Sequence, residues 1–274
     1  MHLNDLITPF TEFLFMKKAL IACISLSITS GPVGLLLLLR KMSLMGEALS
    51  HGIFPGIALS FLLFGFWLPG FIGFAILAGL TLSMLSSFIK ERSLLGEDAS
   101  FSGLYLFSLA LGVVLLHHYH GNFNILHLLF GNILSIQDET LLYISFLNAA
   151  ILMILYFFRQ EVLYDCFDPT FMIITRRSHT LYQLIIWGSL TALLVSASLA
   201  IGTLMAMGLI MLPAITSRLL FKNIWIMMIT SSIIGVIASY LGLLLSFYFD
   251  FPTGPLIISI LGVVFLGAFL VRRF

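Results

Sequence analysis

Apolar stretches long enough to cross a lipid bilayer recur from one end of this chain to the other, and no other feature constrains its fold as tightly. A spanning helix needs about 20 mostly apolar residues. Within hydrocarbon every backbone N–H and C=O must also be paired inside its own segment, which makes helices the solution for runs of this length. Of the 274 residues 60% are hydrophobic and 9% are charged, and the mean hydropathy is +1.13. The expected fold is therefore all-α and polytopic. Spans are placed near 19–39, 44–66, 70–89, 101–118, 140–158, 181–200, 203–220, 225–248 and 255–271. Within the stretch Ala200–Thr203 only Ile201 and Gly202 lie between the sixth and the seventh. One of that pair is thus the candidate for a broken or re-entrant segment, and eight or nine crossings are expected.

Orientation follows from the basic residues. Placing the connections after spans one, three, five and seven on one side, with the C-terminus, gathers Arg40, Lys41, Lys90, Arg92, Arg159, Arg176, Arg177, Arg218, Lys222, Arg272 and Arg273 there. Lys17 and Lys18 lie opposite. The positive-inside rule makes the rich side cytoplasmic, with the N-terminus outside and the C-terminus in the cytoplasm. An odd number of crossings, nine, agrees with that split. Residues 1–18 read as an interfacial segment, since Leu6, Ile7, Phe10, Phe13 and Leu14 are interleaved with polar groups. They do not read as a removable signal: an acid-containing start precedes Lys17 and Lys18, and no small-residue cleavage site follows the apolar run. The whole of 1–274 is expected to be one transmembrane domain.

Several chemistries are missing from the sequence. No G-x-x-x-x-G-K-[ST], GxSxG or HExxH stretch occurs, so the chain is not expected to be an enzyme by itself. Cys23 and Cys166 form neither a disulfide framework nor a CxxC pair.

Against this background "GEALSHGIFPG", residues 46–56, carries a carboxylate and an imidazole inside an apolar run. Glu47 and His51 are four residues apart, hence on one face of a helix. Together they suit Mn(II), Fe(II) and Zn(II). A charge deep in a bilayer costs about 2.5–3.5 kcal/mol on insertion scales, so such residues usually face a cavity and mark a pathway. The plain alternative is a pair that hydrogen-bonds to itself or to neighbouring serines. Pro55 lacks an N–H, so a kink is expected that frees the His51 carbonyl for water, a neighbouring helix or an ion. Glycines 46, 52 and 56 leave room for close helix approach.

Weaker candidates lie elsewhere. His117, His118, His120 and His127 cluster on the external side, where they could collect a soft cation or form an ordinary polar loop. Met205, Met207 and Met211 are spaced poorly for one helical face and read as packing. Pro32 and Pro213 break spans one and seven and should release the carbonyls of Ile28 and Leu209, as interruptions beside a transport path do. In the cytoplasmic connection 159–180, Asp168 followed by Pro169 is an N-cap with a favoured first residue, so a short helix should start there. Such a helix could be pushed by a soluble partner, or be an ordinary amphipathic loop helix.

In order along the chain, "GPVGLLLLLRKMSLMGEALSHGIFPGIAL" (31–59), "GEDASFSGLYLFSLALGVVLL" (96–116), "LLFGNILSI" (128–136), "DPTF" (168–171) and "LMAMGLIMLPAITSRLL" (204–220) resemble the membrane permease subunit of ABC-type importers for zinc, manganese or iron. The resemblance implies a homodimer, or a heterodimer with a similar permease, seated on two ATP-hydrolysing subunits. It also implies an extracytoplasmic metal-binding protein that delivers the ion, and a place in the bacterial inner membrane. Residues matching Glu47 and His51 line the ion path in that family. The segment matching Asp168, Pro169, Thr170, Phe171 and Arg176 is its coupling element on the ATPase. The family more commonly has Asp where this chain has Glu47, and Ala and Gly beyond the Asp of the coupling segment, where this chain reads "DPTFMIITRRS".

The expected function is import of a divalent metal (Mn, Zn or Fe) as transported substrate, with no permanently bound cofactor and no nucleic-acid partner. The alternatives are an ABC permease for a metal chelate or organic cofactor, a gradient-driven secondary transporter, and a non-transporting membrane scaffold. Ligand identity does not choose among the metals.

Overall fold

A computed structural model describes residues 3–65, 67–93, 97–117, 131, 133–167 and 179–272; at 3–7, 44, 91, 97, 98, 179 and 204 it describes the backbone alone. The described elements are helical: α1 (Leu3–Glu12), α2 (Leu14–Leu39), α3 (Ser43–Gly52), α4 (Phe54–Phe64), α5 (Leu68–Arg92), α6 (Glu97–His117), α7 (Asp138–Phe157), α8 (Arg159–Phe167), α9 (His179–Ile201), α10 (Thr203–Leu220), α11 (Ile224–Phe249) and α12 (Thr253–Arg272). A 3₁₀ turn, Ile133–Ser135, precedes α7.

Among the described residues eight segments are long and apolar enough to cross a membrane, with α3 and α4 together forming one of them. The seventh of the nine expected spans, α10, has 18 residues and rises only about 27 Å, short of the roughly 30 Å hydrocarbon core. Its separation from α9 rests on Gly202, whose φ of 84° and ψ of 157° belong to glycine alone. Gly131, also at positive φ, lies so close that a Cβ there would come within 2.3 Å of the Gly202 nitrogen. Gly131 therefore packs directly against the α9–α10 break.

Side chains outside the core are those a bilayer tolerates and water does not. Phe107, Phe146 and Val263 are 66%, 73% and 70% exposed, a pattern that suits lipid contact.

The helices form two compact units: Met1–Leu38, Ile125–Leu152 and Ser196–Phe274 in one, Leu39–Asn124 and Met153–Val195 in the other. In the first, α2 runs through Pro32, and the carbonyl of Ile28 that the proline leaves without a helical donor accepts from the Ser232 hydroxyl of α11 at 3.0 Å. Sequence alone makes that carbonyl available to a path; the fold spends it on helix packing. Ser27 and Ser239 add a hydroxyl pair at 3.2 Å between the same helices. Phe10 of α1 is buried and stacks on Tyr240, ring centroids 5.0 Å apart. Lys18 pairs with Asp138 at 2.7 Å, joining the starts of α2 and α7. In the second unit α3 and α4 pack on α5 and α6, and this unit holds the acid–histidine pair.

Candidate functional site

Glu47 and His51 sit on α3, which stops one residue after the histidine. The cause is local. Pro55 cannot donate to a carbonyl one turn earlier, and the chain responds by ending α3 at Gly52, passing through Ile53 and starting α4 at Phe54 with Pro55 in its first turn. The outcome differs from a simple kink with a free His51 carbonyl. The Ile53 N–H donates to the Leu49 carbonyl at 3.2 Å and also faces that of His51. The carbonyl at the break that finds a donor on another helix is instead that of Gly52, which takes a hydrogen bond from the Ser108 hydroxyl of α6 at 2.8 Å.

Close backbone approach holds this break in place. A Cβ at Gly56 would fall 2.1 Å from the Phe74 carbonyl oxygen of α5, so α4 and α5 meet backbone to backbone as small residues allow. Facing them, α6 presents Phe101, Tyr105, Ser108 and Gly112 at helical spacing along one side. This stripe inside a uniformly apolar span is the signal that reading for charge alone passes over.

Between α3 and α6 lies a cavity of about 360 Å³ lined by Met45, Glu47, Ala48, His51, Phe101, Ser102 and Tyr105. Glu47 is exposed while Met45, Ala48 and Leu49 beside it are buried. His51 is half-buried, its ring 6.0 Å from that of Phe54 and nearly parallel to it. Phe101, 2% exposed, backs the cavity and stacks on Trp187 of α9, centroids 5.3 Å apart. The arrangement is one rigid apolar wall behind a carboxylate and an imidazole on an open face. Two side chains do not complete a transition-metal shell, which takes four or more ligands, and no group of three or more His, Cys, Asp or Glu side chains forms among the described residues.

The remaining candidates separate. His117 ends α6 and is exposed; His118, His120 and His127 lie outside the described residues. So do Asp168, Pro169, Thr170, Phe171 and Arg176. Met207 and Met211 are core residues of α10, and α10 carries Pro213 inside its helix. Just ahead of the expected coupling segment, in the connection 159–180, α8 forms, and its Asp165 is buried in an ion pair with Arg40. Cys166 beside it is half-buried; burial pushes its thiol pKa up, while the Arg40 guanidinium pulls it back.

Comparison with known proteins gives a consistent picture. The family model described as "ABC 3 transport family" matches residues 12–272. The "Manganese import system permease protein ScaB" of Streptococcus parasanguinis is 33% identical over 269 residues, 98% of this chain and 95% of that protein. A "Probable iron transport system membrane protein" of Haemophilus influenzae is 30% identical over 268 residues, 98% of this chain and 93% of that protein. Among solved structures, "PsaBC from Streptococcus pneumoniae in complex with Fab" superposes with a TM-score of 0.87 at 32% identity, covering 98% of this chain and 95% of that one.

Proposed function

This chain belongs to the ABC 3 transport family, and from that premise we propose that it is the permease subunit of an ATP-driven importer of a divalent transition metal. The carrying observation is Glu47, exposed on a helix whose adjoining residues are buried, one turn from His51 and open to their shared cavity. Facing lipid, that carboxylate would cost about 2.5–3.5 kcal/mol. Facing a hydrated path, or the same face of a second permease, it would not. Glu47 and His51 therefore mark the gate, and a second copy or a similar permease supplies the opposite wall.

Chemically the pair divides the work. The Glu47 carboxylate offsets one charge of the ion, and neutral His51 offers a nitrogen lone pair. Water, or the groups of the second permease, fill the remaining positions. Phe101 and Met45 keep the back of the cavity dry, which strengthens the attraction between carboxylate and cation. The relatives named for manganese and iron favour those ions over zinc as substrate, manganese first.

The rest of the system follows from the family. ATP is hydrolysed on separate subunits, which contact the connection containing residues 168–176, and an extracytoplasmic metal-binding protein delivers the ion. The chain is multi-pass in the bacterial inner membrane, its basic side in the cytoplasm. The test is cellular manganese and iron accumulation, with the ATPase and delivery protein co-expressed. Wild type accumulates one of them, and His51→Ala at equal membrane abundance loses about tenfold or more. Equal accumulation in both would move the path elsewhere; none in the wild type would remove the metal reading.

A further inference from the structure

Arg40 and Asp165 pair between the α2–α3 link and α8, the helix that leads towards residues 168–176. Arg40 follows the last residue of α2, and only Lys41 and Met42 separate it from α3, which carries Glu47 and His51. Lys41 turns the chain with a positive φ of 60°, so the link from Arg40 to α3 is short and tightly bent. Asp165 lies in the last turn of α8, three residues before Asp168. Their side chains are 6% and 0% exposed. The guanidinium Nε of Arg40 has no acceptor among the described residues.

Stability alone does not account for this arrangement. Withdrawing two charges from water is expensive, and apolar residues of similar volume commonly stabilise a site as well as a buried ion pair does. What an ion pair adds is register, since the planar guanidinium fork accepts a carboxylate in few orientations. We infer that the Arg40–Asp165 pair is the mechanical link between the ATPase-facing connection and the helix that bears the metal gate. Both are positioning residues: movement of the connection pulls Asp165, Asp165 carries Arg40, and Arg40 turns α3. This rests on the permease reading above.

The test uses the complete transporter in proteoliposomes, with permease, ATPase subunits and delivery protein, and Mn(II) as the probe. The quantity read is manganese imported per ATP hydrolysed, normalised to assembled complex. Asp165→Asn keeps the shape and removes the charge. It should hydrolyse ATP within about twofold of wild type and import about tenfold less per ATP, with the KM for manganese unchanged. A wild-type ratio, or a parallel loss of both activities, overturns the inference in favour of a purely structural pair. Should the variant fail to assemble, hydrogen exchange on the wild-type complex decides. Trapping with nucleotide should change protection of residues 40–44 and 159–167 together; a change in one alone, or in neither, overturns it. A wild-type complex that imports no manganese or iron removes the permease reading itself and the inference with it, whereas import with an unaltered Asp165→Asn ratio removes only the link.

Discussion

The hydroxyl of Ser108 donates to the carbonyl of Gly52 at 2.8 Å and so braces the break that Pro55 opens just beyond Glu47 and His51. The bond spans two helices, and it holds the end of α3 against the wall of the cavity. Removing it leaves a partly buried carbonyl without a donor. Ser108→Ala should therefore destabilise the permease by about 1–3 kcal/mol. In a Pro55→Ala background the restored N–H serves the His51 carbonyl and lets the helix run on, so that the Gly56 N–H can reach the Gly52 carbonyl and the same change should cost less. Thermal unfolding in detergent of the two single variants and the double variant measures that coupling; additive effects would show that Ser108 does not serve the break.

Glu47 should respond to charge more than to shape. Glu47→Gln preserves volume and hydrogen bonding but removes the charge facing the ion, so metal import should fall about tenfold or more at unchanged protein abundance. Glu47→Asp retains the charge with a shorter reach, and should preserve import while shifting the balance between manganese and iron in a competition uptake assay. A Gln variant that imports normally would make Glu47 a structural hydrogen-bonding group.

The histidine predicts a pH dependence with a definite sign. A ligand imidazole must be neutral, because protonation removes its lone pair. Glu47 on the same helix and Tyr105 across the cavity are the titratable groups that share its surroundings. Import should fall as the pH drops from 7.5 to 5.5 while ATP hydrolysis, followed in parallel, persists. A flat import profile over that range would deny His51 a ligand role.

Cys166 offers a chemical probe of the connection. Burial holds its thiol above the ordinary range, and the thiolate is the reactive form, so maleimide labelling should be slow at pH 7 and rise by roughly tenfold per pH unit towards pH 9. Cys23 is fully buried and should stay unlabelled, leaving one adduct per chain by intact mass. Rapid labelling at pH 7 would show that α8 opens readily.

Much of this molecule is written in local pattern. Apolar run lengths determined the spans, because a bilayer demands a helix of fixed length from each segment separately. The spacing of Glu47 and His51 put both on one face, because helical period needs no tertiary contact. Even the weakness of the α9–α10 pair was visible, as the short stretch Ala200–Thr203 between two apolar runs. The tertiary structure alone decided which groups satisfy one another. Ser108 caps Gly52 from 56 residues away, Asp165 pairs with Arg40 across 125, and Ser232 takes the carbonyl that Pro32 frees at Ile28 from 204. A proline announces that a carbonyl loses its donor, and a charge in a polar connection reads as solvated. Which donor arrives, and whether the charge is buried, depends on helices that meet only after folding.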